Sequence, residues 1–212
     1  MPNVVVLKKE LFTAIGKEFS NYFVFTCLAD EEFEDLAFEY GIEIEFGSAK
    51  SMNLQRIGIE EGKAKEEFEN LEAYKIEVAA NRYDLLCLEG IADAFRCYLG
   101  LGTLNKVNVK VPEKPERILV KSETKDVREF VVGCILRNVT FDARTYNSFI
   151  DLQDKLHGNI CRRRTLASMG THDYDKITGP ITYEAQAPKD IVFQALKQPK
   201  EMNADELFDV YR

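Results

Sequence analysis

Apolar and polar positions alternate between two periods along this chain. In DEEFEDLAFEY, Phe33, Leu36, Ala37 and Tyr40 fall at i, i+3, i+4 and i+7, the stripe of an amphipathic helix. Asp30 is placed to cap its start, and Gly41 supplies the left-handed stop after its end. IEIEF then alternates with period two, which predicts a half-buried strand. The same logic predicts a strand running into a helix over NVVVLKKELFTAIG, and another strand at AYKIEVA. In ANRYDLLCLEGIADAFRCYLG, Leu88, Ile91, Ala92, Phe95 and Leu99 mark a helix that Asn81 or Asp84 would cap and Gly100 would end. Residues 47–72 lack sustained periodicity and read as a long surface excursion.

From Leu101 to about Arg117 the pattern is extended, and Pro112 and Pro115 interrupt any regular element. This is the expected linker, dividing residues 1–100 from residues 118–212. Beyond it RILVK, FVVGCILRNV, RTLASMG, ITYEA and IVFQAL read as strands. RTYNSFIDLQDKLHG reads as a helix with Phe149, Leu152 and Leu156 on one face. The predicted class is α+β in two parts, a small mixed module followed by a strand-rich one.

Composition narrows the picture. The 212 residues are 45% hydrophobic and carry a net charge of -8, enough apolar side chain for one large core or two smaller ones. An acidic chain disfavours a simple basic-patch nucleic-acid binder, although a local cluster can still hold phosphate. The five cysteines are scattered without CxxC spacing, so neither a zinc site nor a disulfide framework is indicated. YFVFTCLA is too short to span a bilayer and no leader is evident at MPNVVVLKKELF, so a soluble cytoplasmic protein without membrane contact is expected.

Two stretches carry candidate chemistry. Asn81, Arg82 and Asp84 stand at a strand-to-helix junction, where exposed amides favour anions. Capping and an Arg–carboxylate pair explain the same residues without a ligand. Arg162, Arg163 and Arg164 follow the helix ending near His157-Gly158. One cation would suit the helix dipole. Three, alternating across the start of a strand, also suit phosphate or carboxylate through the guanidinium fork. Thr171, His172 and Asp173 would then sit at a strand end, either binding a substrate or forming an ordinary turn. His157 and Cys161 are four apart, but Gly158 and Asn159 break the helix between them, so no metal pair is expected.

Taken in order, ELFTAIG, DEEFEDLAFEYGIEIE, ANRYDLLCLEGIADAF and RTYNSFIDLQDKLHGNICRRRTLASMGTHDYDKITGPITYEA resemble the β subunit of phenylalanyl-tRNA synthetase of the eukaryotic and archaeal type. NYFVFTCL, from Asn21 to Leu28, stands as an insertion relative to that family's pattern. The resemblance implies a B1 domain before the linker and the first part of a B3/B4 editing domain after it, in a subunit that continues beyond Arg212.

It also implies an α2β2 complex with the α subunit, phenylalanine tRNA as substrate, and ATP and Mg2+ used by the whole complex rather than bound by this chain. Editing hydrolyses tyrosine attached to that tRNA, a second sieve for an analogue that the first pocket rejects imperfectly. The resemblance places the editing residues proper in later strands, so no catalytic residue is expected in this chain. One or more of Arg162 to Arg164 would contact the tRNA end or its phosphates, His172 and Asp173 would shape the pocket rim, and Thr171 would stand with them on the tRNA-end or editing-pocket surface. The alternatives are a non-catalytic tRNA- or subunit-docking module and a free-standing trans-editing deacylase.

Overall fold

The computed structural model describes residues 2–16, 26–55, 59, 62–103, 109–196 and 198–211, the side chains of 26–29 aside. Two compact units emerge: Met1–Asn108 together with Val139–Thr171, and Val109–Asn138 together with His172–Arg212. The first unit is discontinuous in sequence. Residues 139–171 join it, whereas the linker-based division assigned them to the second part.

The first unit is built on a three-stranded antiparallel sheet of order β1-β3-β2, with β1 at Asn3–Leu7, β2 at Glu43–Ser48 and β3 at Glu72–Glu77. β3 is central, pairing Val4 with Ile76 on one side and Ile44 with Ile76 on the other. Period-two alternation sorts the side chains between two faces. Val4, Val6, Tyr74 and Ile76 join the main core, whereas Leu7 and Ala73 join a smaller cluster with Ala49 and Phe68.

The main core is closed by α1 (Lys8–Ile15), α2 (Thr26–Tyr40) and α4 (Leu88–Tyr98), through Leu11, Ile15, Phe33, Ala37, Ile91 and Phe95. Phe33 is its hub: its ring centroid lies 5.1 Å from Phe12 and 5.3 Å from both Tyr74 and Phe95. Such contacts add about 0.5–1.5 kcal/mol per pair beyond area burial. Phe68, under the smaller cluster, belongs to α3 (Lys63–Glu69). This helix lies inside the stretch expected to be irregular.

Asp30 does not cap α2. The helix begins a turn earlier, at Thr26, and Asp30 instead accepts hydrogen bonds from the Lys8 ammonium at 2.6 Å and the Tyr74 hydroxyl at 2.6 Å. Lys8 also reaches Glu72 at 3.3 Å. A tertiary network thus claims the carboxylate that local logic assigned to the helix end. Gly41 does adopt the expected left-handed conformation, at φ 90°. The inserted stretch Asn21–Leu28 lies outside the described residues up to 25, and its last three residues open α2.

Helix α5 (Ala143–Gly158) completes the first unit. A capping box starts it: the Thr145 amide donates to Asp142 at 2.7 Å, and the Asp142 amide donates to the Thr145 hydroxyl at 3.0 Å. Leu152 and Leu156 pack against the main core. Glu89 of α4 accepts from Arg144 at 3.1 Å and from Ser148 at 2.5 Å.

The second unit pairs β4 (Ile118–Val120) with β5 (Ile181–Tyr183) in parallel, and β6 (Val192–Phe193) with β7 (Met202–Asn203) antiparallel, before α6 (Ala204–Tyr211). Two expected strands do not form. FVVGCILRNV forms no strand, and Phe130, Val132 and Leu136 are exposed in it. RTLASMG begins in a turn and continues without a ladder. Alternation prepares a segment for a sheet, and a paired neighbour is still required.

Candidate functional site

The junction before α4 is assembled from its own residues. Arg82 Nε and Nη2 grip the Asp84 carboxylate at 2.9 and 2.7 Å, and Nη2 also donates to the Tyr40 hydroxyl at 2.8 Å. The guanidinium sits 5.6 Å from the Tyr40 ring centroid, a cation–π arrangement. Hydrogen bonding to Arg82 holds the Asp84 carboxyl below the usual carboxylate range, and Asp84, then Tyr40, raise Arg82 in return.

Neither Asn81 nor Asp84 caps the helix. Cys87 does, its Sγ accepting from the Gly90 amide at 3.4 Å. Asp84 is engaged by Arg82 within the single 3-10 turn Tyr83–Leu85, which lies between Asn81 and the helix start. Gly90 has no Cβ because the Asp84 backbone lies against it. ANRYDLLCLEG therefore encodes a junction that is closed within itself except for Tyr40, and in which Asn81 is exposed.

The arginine cluster is shaped differently from the expected strand. Arg162, Arg163 and Arg164 have φ values of 49°, 53° and 66°, three successive residues in the left-handed region. For residues bearing a Cβ this costs about 1–2 kcal/mol each, or roughly 3–6 kcal/mol together. Glycine or asparagine would reverse the chain at lower cost.

Local bonds hold the turn. The Arg162 amide donates to the Asn159 carbonyl at 2.9 Å, and the Thr165 amide and hydroxyl donate to the Arg162 carbonyl at 3.1 and 2.5 Å. Buried Cys161 roots it, its amide donating to the Leu156 carbonyl at 3.1 Å.

The three side chains divide their roles. Arg164 turns back on α5, donating to His157 Nδ1 at 3.1 Å and Asp154 at 3.1 Å. His157 is only 4% exposed, and its Nε2 stands 2.8 Å from the Met169 amide, becoming the acceptor when Nδ1 carries the proton instead. Arg162 and Arg163 are exposed and make no side-chain hydrogen bond or ion pair among the described residues. Successive directions in such a turn diverge by about 100°.

The remaining candidates do not form one constellation. Thr171 donates its hydroxyl to Gln153 of α5 at 2.7 Å and closes the first unit. Asp173 caps the short 3-10 turn Tyr174–Lys176 by accepting from the Asp175 amide at 3.2 Å. His172 is exposed, and no hydrogen bond joins it to Asp173 among the described residues. Buried His157 is the residue that sequence reasoning set aside. Its spacing to Cys161 suggests a metal pair and hides the more telling spacing to Arg164. Among the described residues no cluster of His, Cys, Asp or Glu is arranged to hold a metal, and no helix is long and apolar enough to cross a membrane.

Comparison with known proteins gives this geometry its context. Residues 1–101 match the family described as the Phe-tRNA synthetase beta subunit B1 domain. The phenylalanine–tRNA ligase beta subunit of Dictyostelium discoideum is 43% identical across the whole chain, which covers 33% of that protein. The Arabidopsis thaliana subunit, named as cytoplasmic, is also 43% identical across the whole chain, which covers 34% of it. The chain thus spans about a third of the length of these curated relatives.

Among solved structures, an N-terminal fragment of the phenylalanyl-tRNA synthetase beta subunit from Pyrococcus horikoshii superposes with a TM-score of 0.73 at 28% identity, over 98% of this chain and 52% of that one. Fold, order of motifs and identity agree: residues 1–101 match the B1 domain of the Phe-tRNA synthetase beta subunit, and the whole chain is similar to about a third of phenylalanine–tRNA ligase beta subunits.

Proposed function

We propose that this chain serves as the N-terminal part of a phenylalanine–tRNA ligase β subunit in the cytoplasm. There it works with an α subunit in an α2β2 complex and contributes tRNA contacts to charging and to hydrolytic editing of tyrosyl-tRNA. Catalysis of charging, with its ATP and Mg2+, belongs to the complex and not to this chain. The observation carrying the tRNA contact is the left-handed arginine turn. Arg164 is consumed by the fold, whereas Arg162 and Arg163 project without protein partners among the described residues. Free guanidiniums on a conformationally costly turn fit backbone-phosphate recognition, which positions nucleic acid without reading its sequence. His172 and Asp173 remain candidates for the rim of the editing pocket in this reading.

The test is filter binding of phenylalanine tRNA across a salt series, with the assembled complex carrying Arg162→Ala and Arg163→Ala. Removing one phosphate interaction should lower the slope of log affinity against log salt by about 1. An unchanged slope with an intact fold would remove the arginine turn from the tRNA path. Tyrosyl-tRNA hydrolysis by this chain without an α subunit would favour a free-standing deacylase instead.

A further inference from the structure

Resting on the reading that Arg162 and Arg163 meet tRNA phosphates, we propose that His157 is the positioning residue that presents them. Three observations converge on its imidazole. It is 4% exposed, in the last turn of α5, two residues before the chain leaves the helix. Its Nδ1 faces Arg164 Nε at 3.1 Å, immediately after the two free arginines. Its Nε2 faces the Met169 amide at 2.8 Å, on the returning arm of the loop. One ring therefore stands within hydrogen-bond reach of both later points of the loop, around a turn whose backbone conformation is unfavourable for arginine.

A neutral imidazole accepts at one nitrogen at a time, because the other carries the proton. The Arg164 and Met169 donors are consequently alternatives, and the tautomer decides which one His157 holds. With Nδ1 as acceptor, the ring fixes Arg164 and thus the end of the turn. With Nε2 as acceptor, it fixes Met169 and no longer holds Arg164, whose Nη2 bond to Asp154 at 3.1 Å is independent of the ring. The direction of Arg162 and Arg163 follows from these anchors, since neither has a side-chain hydrogen bond or ion pair of its own among the described residues.

The experiment is a double-mutant cycle on the assembled ligase, reading phenylalanine-tRNA affinity and the KM and kcat of tyrosyl-tRNA hydrolysis. His157→Leu keeps bulk and removes both acceptors. His157→Asn places its amide oxygen near the Nδ1 position, and His157→Gln places it near Nε2. Arg162→Ala with Arg163→Ala should weaken tRNA binding about tenfold at constant salt. His157→Leu should reproduce most of that loss through KM, with kcat little changed. Adding it to the arginine pair should cost nothing more, because coupled residues are non-additive. His157→Asn should restore binding.

Additive losses in the cycle would overturn the positioning role while leaving the tRNA contact standing. Unchanged binding in the arginine double variant itself would overturn both. Where His157→Leu fails to fold, His157→Gln completes the same cycle: non-additivity supports the role, and additivity overturns it.

Discussion

A Cβ placed on Gly90 would lie 1.9 Å from the carbonyl oxygen of Asp84. The clash is with backbone, so no rotamer relieves it. Gly90→Ala must push α4 away from the turn at Tyr83–Leu85, where Leu85 is buried. Alanine gains about 1 kcal/mol over glycine in a helix, and overpacking costs about 3 kcal/mol here. The expected outcome is a net loss of about 2 kcal/mol in urea denaturation, despite better helix propensity.

Asp84 should also give the first unit a weak dependence on acid. Its carboxyl is held below the ordinary value by Arg82, so the folded state favours the ionised form. That stabilisation is fully present above the ordinary carboxylate pKa of about 4 and is lost as pH falls through the depressed folded value. Asp84→Asn should be less stable than the parent at neutral pH and converge with it in strong acid. Both side chains are partly exposed, at 37% and 58%, so the difference should stay below about 1 kcal/mol. Urea midpoints measured from about pH 7 down to about pH 2 would check it.

The network at Asp30 makes a different claim. Burial first, and then Asp30, raise the Tyr74 phenol above its ordinary value, so it stays a donor at all physiological pH. Tyr74→Phe removes one hydrogen bond to a carboxylate that Lys8 still neutralises, at a cost of about 1.5–2 kcal/mol. Lys8→Met leaves the carboxylate without its closest cation and should cost more, about 3 kcal/mol. Thermal or urea unfolding of the two variants would establish the order. The reverse order would mean that Glu72 and solvent, rather than Asp30, balance the Lys8 charge.

Arg163→Gly separates stability from function. Glycine accepts φ 53° freely, so the variant should gain about 0.5–1 kcal/mol in stability, even after the larger entropy of its unfolded chain. Its tRNA affinity should fall. Opposite signs in calorimetry and in filter binding are the expected pair of results. A loss of stability would show that the Arg163 side chain packs in a way that offsets its backbone.

Long amphipathic stripes are readable without coordinates. Phe33 and Ala37 in α2, Ile91 and Phe95 in α4, and Leu152 and Leu156 in α5 all face the same core. β2 and β3 follow from their alternation. α3 is hidden in the sequence because a single buried residue, Phe68, anchors an otherwise Lys- and Glu-rich segment. The arginine turn is illegible for a stronger reason. Nothing local favours left-handed arginines, and the bonds that hold Arg164 come from His157 and Asp154 on the preceding helix. Asp30 misleads in a similar way, since its partners Lys8 and Tyr74 stand 22 and 44 residues away. Capping rules operate within about four residues, and tertiary partners can overrule them.

The first unit closes only when residues 139–171 return to it, with the segment from Val109 to Asn138 emerging between. On the ribosome, the groove that receives Leu152 and Leu156 therefore stays open to water while an entire foreign stretch is synthesised. A nascent chain at this stage lacks the cover that Leu152 and Leu156 give the main core. Cutting the gene at the proline-containing linker would preserve that unfinished state permanently. The boundary that looks natural on paper is a poor place to divide the protein at the bench.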